Sequence, residues 1–126
     1  MDSEDKKTWY SGGLSYWTNT ESTVDGVMGG YGDLTEVDLK ISRVFLEESA
    51  KKFGMTFGRV LDCGAGIGRI SKGLLLPLFE EVHLVEPCSK FLKEAERSLA
   101  SPKATGFYCK GLQEFEFEKS YNCIWI

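Results

Sequence analysis

Asp62-Cys63-Gly64-Ala65-Gly66-Ile67-Gly68 is the stretch that decides how the rest of this chain is read. Just before it, Arg59-Val60-Leu61-Asp62-Cys63 has the short, apolar character of a buried strand. Just after it, a helix is expected from Arg69 to about Pro77. A glycine-rich turn at the carboxyl end of a strand lets backbone approach a ligand closely. The dinucleotide fingerprint G-x-G-x-x-G requires glycine at its sixth position, and Arg69 stands there. The pattern is instead acid-x-Gly-x-Gly-x-Gly, with Asp62 two residues before Gly64.

Working outward, Glu81-Val82-His83-Leu84-Val85-Glu86 reads as a second strand, Ser89 to Leu99 as a helix, Gly106 to Cys109 as a third strand and Tyr121 to Ile126 as a fourth. Strands separated by helices indicate βαβ units and a parallel sheet, hence an α/β fold. Glu86 lies at the carboxyl end of the second strand, about 20 residues beyond the loop, where an acid accepts hydrogen bonds from ribose hydroxyls. Loop and acid together point to a bound nucleoside-containing cofactor, the alternative being a tight turn beside a surface glutamate. Arg69 opens a helix, where a cation gains nothing from the helix dipole. It is either solvated or paired with a carboxylate of the cofactor. Leu112-Gln113, beyond the third strand, lies where such folds hold adenine: leucine to pack on the ring, glutamine to bond its edge.

The first third is less regular. Trp9-Tyr10 and Tyr16-Trp17 flank a helix-weakening Gly12-Gly13. Val24-Asp25-Gly26-Val27-Met28-Gly29-Gly30-Tyr31-Gly32 is expected to be a loop or a chain of turns. From Thr35 the pattern turns helical, with Thr35 as cap, Asp38 in capping-box position, Val37, Ile41, Val44, Phe45 and Phe53 recurring, and Gly54 as the stop. This divides the chain into an N-terminal helical extension with a glycine-rich gating loop (residues 1–55) and a ligand-binding α/β unit (residues 56–126).

A length of 126 residues allows one domain, and 42% hydrophobic residues against 27% charged allow a packed core. No apolar run approaches the roughly 20 residues a membrane helix requires, so no membrane partner is expected. A net charge of −4 with scattered lysine and arginine argues against nucleic acid and mildly favours cationic partners. Cys63, Cys88, Cys109 and Cys123 form no C-x-x-C pair, and with the single histidine, His83, they make neither a zinc site nor a disulfide framework. Reduced intracellular thiols fit better, and no metal is expected. The acidic start is unlike a secretory signal. Cys123-Ile124-Trp125-Ile126 is as apolar as a central parallel strand. An end there would leave an unpaired hydrophobic edge, so the chain is expected to stop in mid-fold, after the fourth strand.

The Asp62–Gly68 pattern resembles the signature of S-adenosylmethionine-dependent methyltransferases of the Rossmann-like class I fold. More specifically, the chain resembles the eukaryotic protein N-terminal methyltransferases, which act on proteins exposing an Xaa-Pro-Lys start. Tyr16-Trp17, Thr23-Val24-Asp25-Gly26 with Met28-Gly29-Gly30-Tyr31-Gly32, Leu61 to Ile70, Leu74-Leu75-Leu76-Pro77-Leu78-Phe79, Gly111 to Phe115 and Ile124-Trp125-Ile126 carry the likeness. It implies S-adenosyl-L-methionine as cofactor, with Gly64, Gly66 and Arg69 at the methionine moiety. Glu86, Pro87 and Cys88 would then lie on ribose and adenine, and Leu112 and Gln113 on adenine. Where members of the family often have aspartate, this chain has Glu86. Trp17, Met28, Gly29 and Tyr31 would wall the entrance for the substrate's N-terminal residues. For Trp17 the alternative is to cover the sheet, with Trp9 and Tyr16, as an amphipathic helix. The general base and the acids that would recognise the lysine are expected beyond residue 126, and His83 is expected to be structural. The resemblance also implies residence in nucleus and cytoplasm. It leaves the oligomeric state open. Two other readings stand beside it: another class I methyltransferase with a different substrate, and a truncated, non-catalytic chain acting by binding.

Overall fold

The computed structural model describes residues 3–30 and 32–126. Four strands, β1 (Arg59–Cys63), β2 (Glu81–Val85), β3 (Ala104–Tyr108) and β4 (Cys123–Trp125), form one sheet in the order β3-β2-β1-β4, every pair parallel. The chain steps outward from β1 through β2 to β3, then returns to the other side of β1. Such a reversal of strand order opens a crevice at the carboxyl ends of the strands. β1 and β2 pair without a slip from Arg59↔Glu81 to Cys63↔Val85, so Gly64 and Glu86 leave the sheet side by side.

Period-2 alternation separates two apolar layers. Val60, Val82 and Leu84 face a core completed by Leu74, Leu75 and Phe79 and by Leu92, Ala95 and Leu99 of α5 (Ser89–Leu99). Leu61, Cys63 and Val85 face the other way, under Tyr108 at the end of β3 and Phe115 and Tyr121 from the β3–β4 connection. His83 is in that second layer, 1% exposed. Its Nδ1 lies 2.8 Å from the Tyr121 hydroxyl and its Nε2 lies 3.0 Å from the Thr105 hydroxyl. Burial holds its pKa below the ordinary value, so the ring is neutral and tied into the packing, as a structural histidine should be.

Local sequence explains most of the boundaries. α5 begins and ends at the expected residues because its apolar side is strictly helical in period. The helix after the glycine loop is wound wide, as a π turn (Ser71–Leu75), before α4 (Leu76–Leu78). It ends at Leu78, within a residue of the expected Pro77, which is tolerated in the first turn of α4. α1 (Ser3–Thr18) runs through Gly12-Gly13. Within the expected loop, Thr23 accepts a 3.0 Å bond from the Gly26 amide and closes one helical turn, α2 (Val24–Val27).

α3 (Thr35–Phe53) starts at Thr35 and stops at Gly54, whose φ of 70° is left-handed, as expected. The expected capping box is absent. Leu34 occupies the cap position without a side-chain bond, and Thr35 and Asp38 both turn to Arg69 instead. A charge-assisted bond to a guanidinium is stronger than a neutral cap, and that competition decides the outcome. Leu39, Leu46 and Ala50 bring α3 onto the sheet, while Val37, Ile41, Val44 and Phe45 stay exposed on its other side. The helix is apolar on two sides, and the sheet covers one.

Candidate functional site

The loop after β1 is held to β2 by its backbone. The Gly64 and Ala65 amides both donate to the Val85 carbonyl, at 2.9 and 3.1 Å. Glu86, 7% exposed, completes the connection from its own side: Oε1 accepts from the Gly66 amide at 2.9 Å and Oε2 from the Cys88 amide at 2.7 Å. One carboxylate thus joins the tip of the glycine loop to the start of α5. A carboxylate has about four acceptor positions, so these bonds leave room for further donors such as hydroxyls.

Above this floor lies a cavity of about 370 Å³ lined by Trp17, Val27, Gly64, Gly66, Glu86, Pro87 and Phe91. Gly66 has φ of 58°, and a Cβ built on it would project toward Val27 Cγ1, 3.9 Å away. The missing side chain is therefore what keeps that part of the cavity open. A second cavity, about 220 Å³, shares Trp17, Glu86 and Pro87 with the first and continues beneath Trp9, Tyr10, Gly13 and Leu14 of α1. α1 is anchored over the crevice at its carboxyl end, where the Lys90 ammonium donates to the Thr18 and Thr20 carbonyls. The Trp17 and Phe91 rings meet edge-on at 6.2 Å.

Of the residues expected at a cofactor, the structure brings Gly64, Gly66, Glu86 and Pro87 together in these walls, with Trp17 above them. Cys88 is buried beneath, presenting its amide to Glu86. Arg69 is placed elsewhere: its Nη1 donates to Asp38 Oδ2 at 2.7 Å and to the Thr35 hydroxyl at 3.1 Å. Leu112 and Gln113 form a 3-10 turn (Leu112–Glu114) that contributes to neither cavity wall, and Leu112 is 41% exposed. Met28 follows α2 directly, and Gly29 is exposed with φ of 61°. Tyr31 lies outside the described residues. The wall residues Val27, Phe91, Tyr10, Gly13 and Leu14 were not anticipated. The aromatic pairs of α1 were the one available signal for part of that wall.

Asp62, the acid that opens the glycine motif, does not face the cavities. It is 2% exposed and accepts a 2.7 Å bond from the buried Ser71 hydroxyl, tying β1 to the π turn. Burial pushes its carboxyl up from 3.8 to about 6, against the Ser71 bond and the nearby Arg69 charge, which pull it down. Burial likewise pushes the neighbouring Cys63 thiol up to about 11, leaving it protonated at neutral pH. The folded state holds the Asp62 proton more tightly than the unfolded chain does, so this group makes stability fall as pH rises from about 4 to 6. Asp62→Asn keeps an oxygen to accept from Ser71 and carries no charge. It should raise stability at pH 7 by up to ~3 kcal/mol, with the gain vanishing near pH 4. Urea unfolding midpoints at the two pH values check this. Equal gains at both would show that the charge is not the cause.

A crevice at the reversal point of a parallel sheet, a glycine loop on one side and a strand-end acid on the other define a Rossmann-like site for a nucleoside-containing cofactor. Comparison with known proteins gives the family. Residues 5–126 match the model of the AdoMet-dependent proline di-methyltransferases, and the chain belongs to that family. It is 45% identical to the bovine N-terminal Xaa-Pro-Lys N-methyltransferase 1 over 98% of this chain and 57% of the relative. It is 46% identical to the Arabidopsis thaliana alpha N-terminal protein methyltransferase 1 over 98% of this chain and 49% of the relative. The chain thus spans about half the length of the curated relatives it matches. Among solved structures, a SAM-dependent methyltransferase from Leishmania major superposes with a TM-score of 0.86 at 38% identity, over 92% of this chain and 46% of that one.

Proposed function

We propose that this chain binds S-adenosylmethionine in the joined cavities and serves methyl transfer to the α-amino group of proteins that begin Xaa-Pro-Lys. The observation that carries the reading is Glu86. A buried carboxylate at the end of β2 holds the glycine loop by Gly66 and lines both cavities, with acceptor capacity left for ribose hydroxyls. The fit is supported by the side-chain-free space over Gly66. The cofactor, when bound, supplies an activated methyl group on a sulfonium.

The remaining work falls to the protein. An α-amine has a pKa of roughly 7.7–8.0 and must lose a proton before it attacks. Trp17 and Val27 roof the cavity, exclude water and narrow the approach to the methyl group. Met28 and Gly29 follow Val27 in sequence and form the entrance against the substrate's first residues. Arg69 lines neither cavity and is held by Asp38 and Thr35, so it acts by fixing the start of α3 against the helix that follows the glycine loop. A relative named for Xaa-Pro-Lys N-methylation at 45% identity, and one named for alpha N-terminal protein methylation at 46%, support this acceptor over others of the same fold.

Calorimetric titration of S-adenosylhomocysteine into the chain should show saturable one-to-one binding, and no binding would overturn the cofactor reading. For the acceptor, the chain is joined at Ile126 to the remaining length of the bovine relative and supplied with methyl-labelled S-adenosylmethionine. Label should enter a peptide beginning Ser-Pro-Lys and not its N-acetylated form. Equal labelling of the acetylated peptide would move the acceptor away from the α-amine.

A further inference from the structure

We propose that the face of the sheet turned away from α5 carries a second binding site, an aromatic cage for a quaternary ammonium group built by His83, Tyr108, Phe115, Phe117 and Tyr121. None of these residues is used by the cofactor reading. The group is the one an exhaustively methylated α-amine carries, and that link to the product, though not the site itself, rests on the function proposed above.

The five rings form a closed circuit. From His83 the centroids run to Tyr108 at 5.9 Å, to Phe115 at 5.2 Å, to Phe117 at 5.0 Å, to Tyr121 at 6.3 Å and back to His83 at 5.4 Å. Each ring meets the next steeply, at 61–83°. Such spacings put the middle of the circuit about 5 Å from each ring, inside the ~6 Å over which a ring face attracts a cation. Three of the five, Tyr108, Phe115 and Tyr121, line a cavity of about 100 Å³. That is more than one water needs and well below the ~300–1,000 Å³ of pockets for whole ligands, a size for a compact head group. The circuit is also fixed from beneath. The Thr105 hydroxyl donates to Glu81 Oε2 at 2.7 Å and so accepts from His83 Nε2, which leaves Nδ1 to accept from the Tyr121 hydroxyl at 2.8 Å. Phe117 is brought toward Tyr121 by a tight turn, in which the Glu118 amide donates to the Glu116 carbonyl at 3.0 Å. The rest of the wall is Lys110, Lys119, Glu116 and Glu118, two of each sign, so preference for a cation falls to the ring faces. A quaternary ammonium has no N–H to offer an acceptor, and ring faces are what such a group is recognised by.

Choline and its neutral carbon isostere, in which a tert-butyl group replaces trimethylammonium, share a shape and differ in charge, and the pair provides the test. Each is titrated into the chain without cofactor and followed by NMR at the aromatic side chains. With choline the shifts should gather on Tyr108, Phe115, Phe117 and Tyr121 and spare Trp17, and the isostere should bind about tenfold more weakly. A peptide beginning Ser-Pro-Lys with its α-amine trimethylated should bind at least as well as choline, and the unmethylated peptide about tenfold more weakly. Binding of choline without binding of the methylated peptide would keep the cage and assign it to free quaternary ammonium compounds instead of the product. Phe115→Leu keeps an apolar side chain and removes a ring face, so it should weaken choline binding by about tenfold with the thermal melt little changed. Phe117 is 53% exposed, and Phe117→Leu makes the same measurement if Phe115→Leu does not fold. Equal binding of choline and its isostere, shifts centred on Trp17, or no choline binding at all would overturn the proposal. Because cofactor is left out, a chain that fails to bind S-adenosylhomocysteine but binds choline sinks the cofactor reading alone.

Discussion

Glu86→Ala should abolish measurable binding of S-adenosylhomocysteine and loosen the loop even without ligand. The reason lies in where the two oxygens go. Oε1 holds the Gly66 amide at 2.9 Å and Oε2 the Cys88 amide at 2.7 Å, at a residue 7% exposed. Hydrogen bonds to a charged group contribute about 1.5–3 kcal/mol each, and a buried donor left alone costs a further penalty. Losing both bonds is therefore worth at least ~3 kcal/mol, more than a hundredfold if it falls on binding. Glu86→Gln separates charge from shape. It keeps one acceptor oxygen but turns an NH₂ toward the other amide, so one bond is kept and one becomes a clash of donors. Its effect should fall between those of the unchanged chain and Glu86→Ala. Calorimetry reads the affinity, and hydrogen exchange at Gly66 and Cys88 reads the loop. Unchanged protection and affinity in Glu86→Ala would mean that backbone bonds from Gly64 and Ala65 to Val85 hold the site alone.

The second large effect separates two glycines of one motif. Gly66 and Gly68 both have positive φ, 58° and 84°, where an L side chain adds roughly 1–2 kcal/mol of strain. Their surroundings differ. A Cβ on Gly66 meets only Val27 Cγ1 at 3.9 Å, across the cavity. A Cβ on Gly68 presses on Ala95 Cβ at 3.3 Å and on Leu99 at 3.4 Å, against the buried side of α5. Overpacking there adds typically 1–3 kcal/mol to the strain. Gly66→Ala should therefore lose cofactor affinity by about tenfold or more with a modest drop in Tm, since the added methyl stands where the ligand belongs. Gly68→Ala should show the larger drop in Tm, by several degrees per kcal/mol, because α5 must move to admit it. Thermal melts with and without S-adenosylhomocysteine distinguish the two. The reverse order of effects would place the ligand on the α5 side of the loop.

These experiments bear on residues of unequal legibility. The strand at Arg59–Cys63, the glycine loop, α5 and the acid at the end of β2 could be read directly, because each is decided by neighbours within one turn or one strand. Thr35 and Asp38 show where local reading stops. Their spacing is that of a capping box, yet both serve Arg69, which lies 34 and 31 residues further along the chain. Arg69 shows the same from its side: it looked like a cation in need of a ligand, and the ion pair with Asp38 supplies a partner from within the protein. Glu86 was legible as the acid at the strand end. That it would also hold the Gly66 and Cys88 amides follows only from the register that brings β1 and β2 out of the sheet together.

The sequence by itself determined the alternation of strands and helices and the glycine loop with its acid, while the methyltransferase class came from the resemblance of its motifs to a known family. The alternation and the loop are short-range chemistry: backbone freedom, period and the end of a strand. The tertiary structure decided which side of α3 meets the sheet and that Asp62 turns inward to Ser71 rather than toward the cavities. It also decided that α1 lies across the crevice with Trp9, Tyr10 and Trp17 above it. The physical reason is common to all three. Apolar faces and charged groups choose among several available partners, and the choice is made by what the packed sheet and its helices bring within reach.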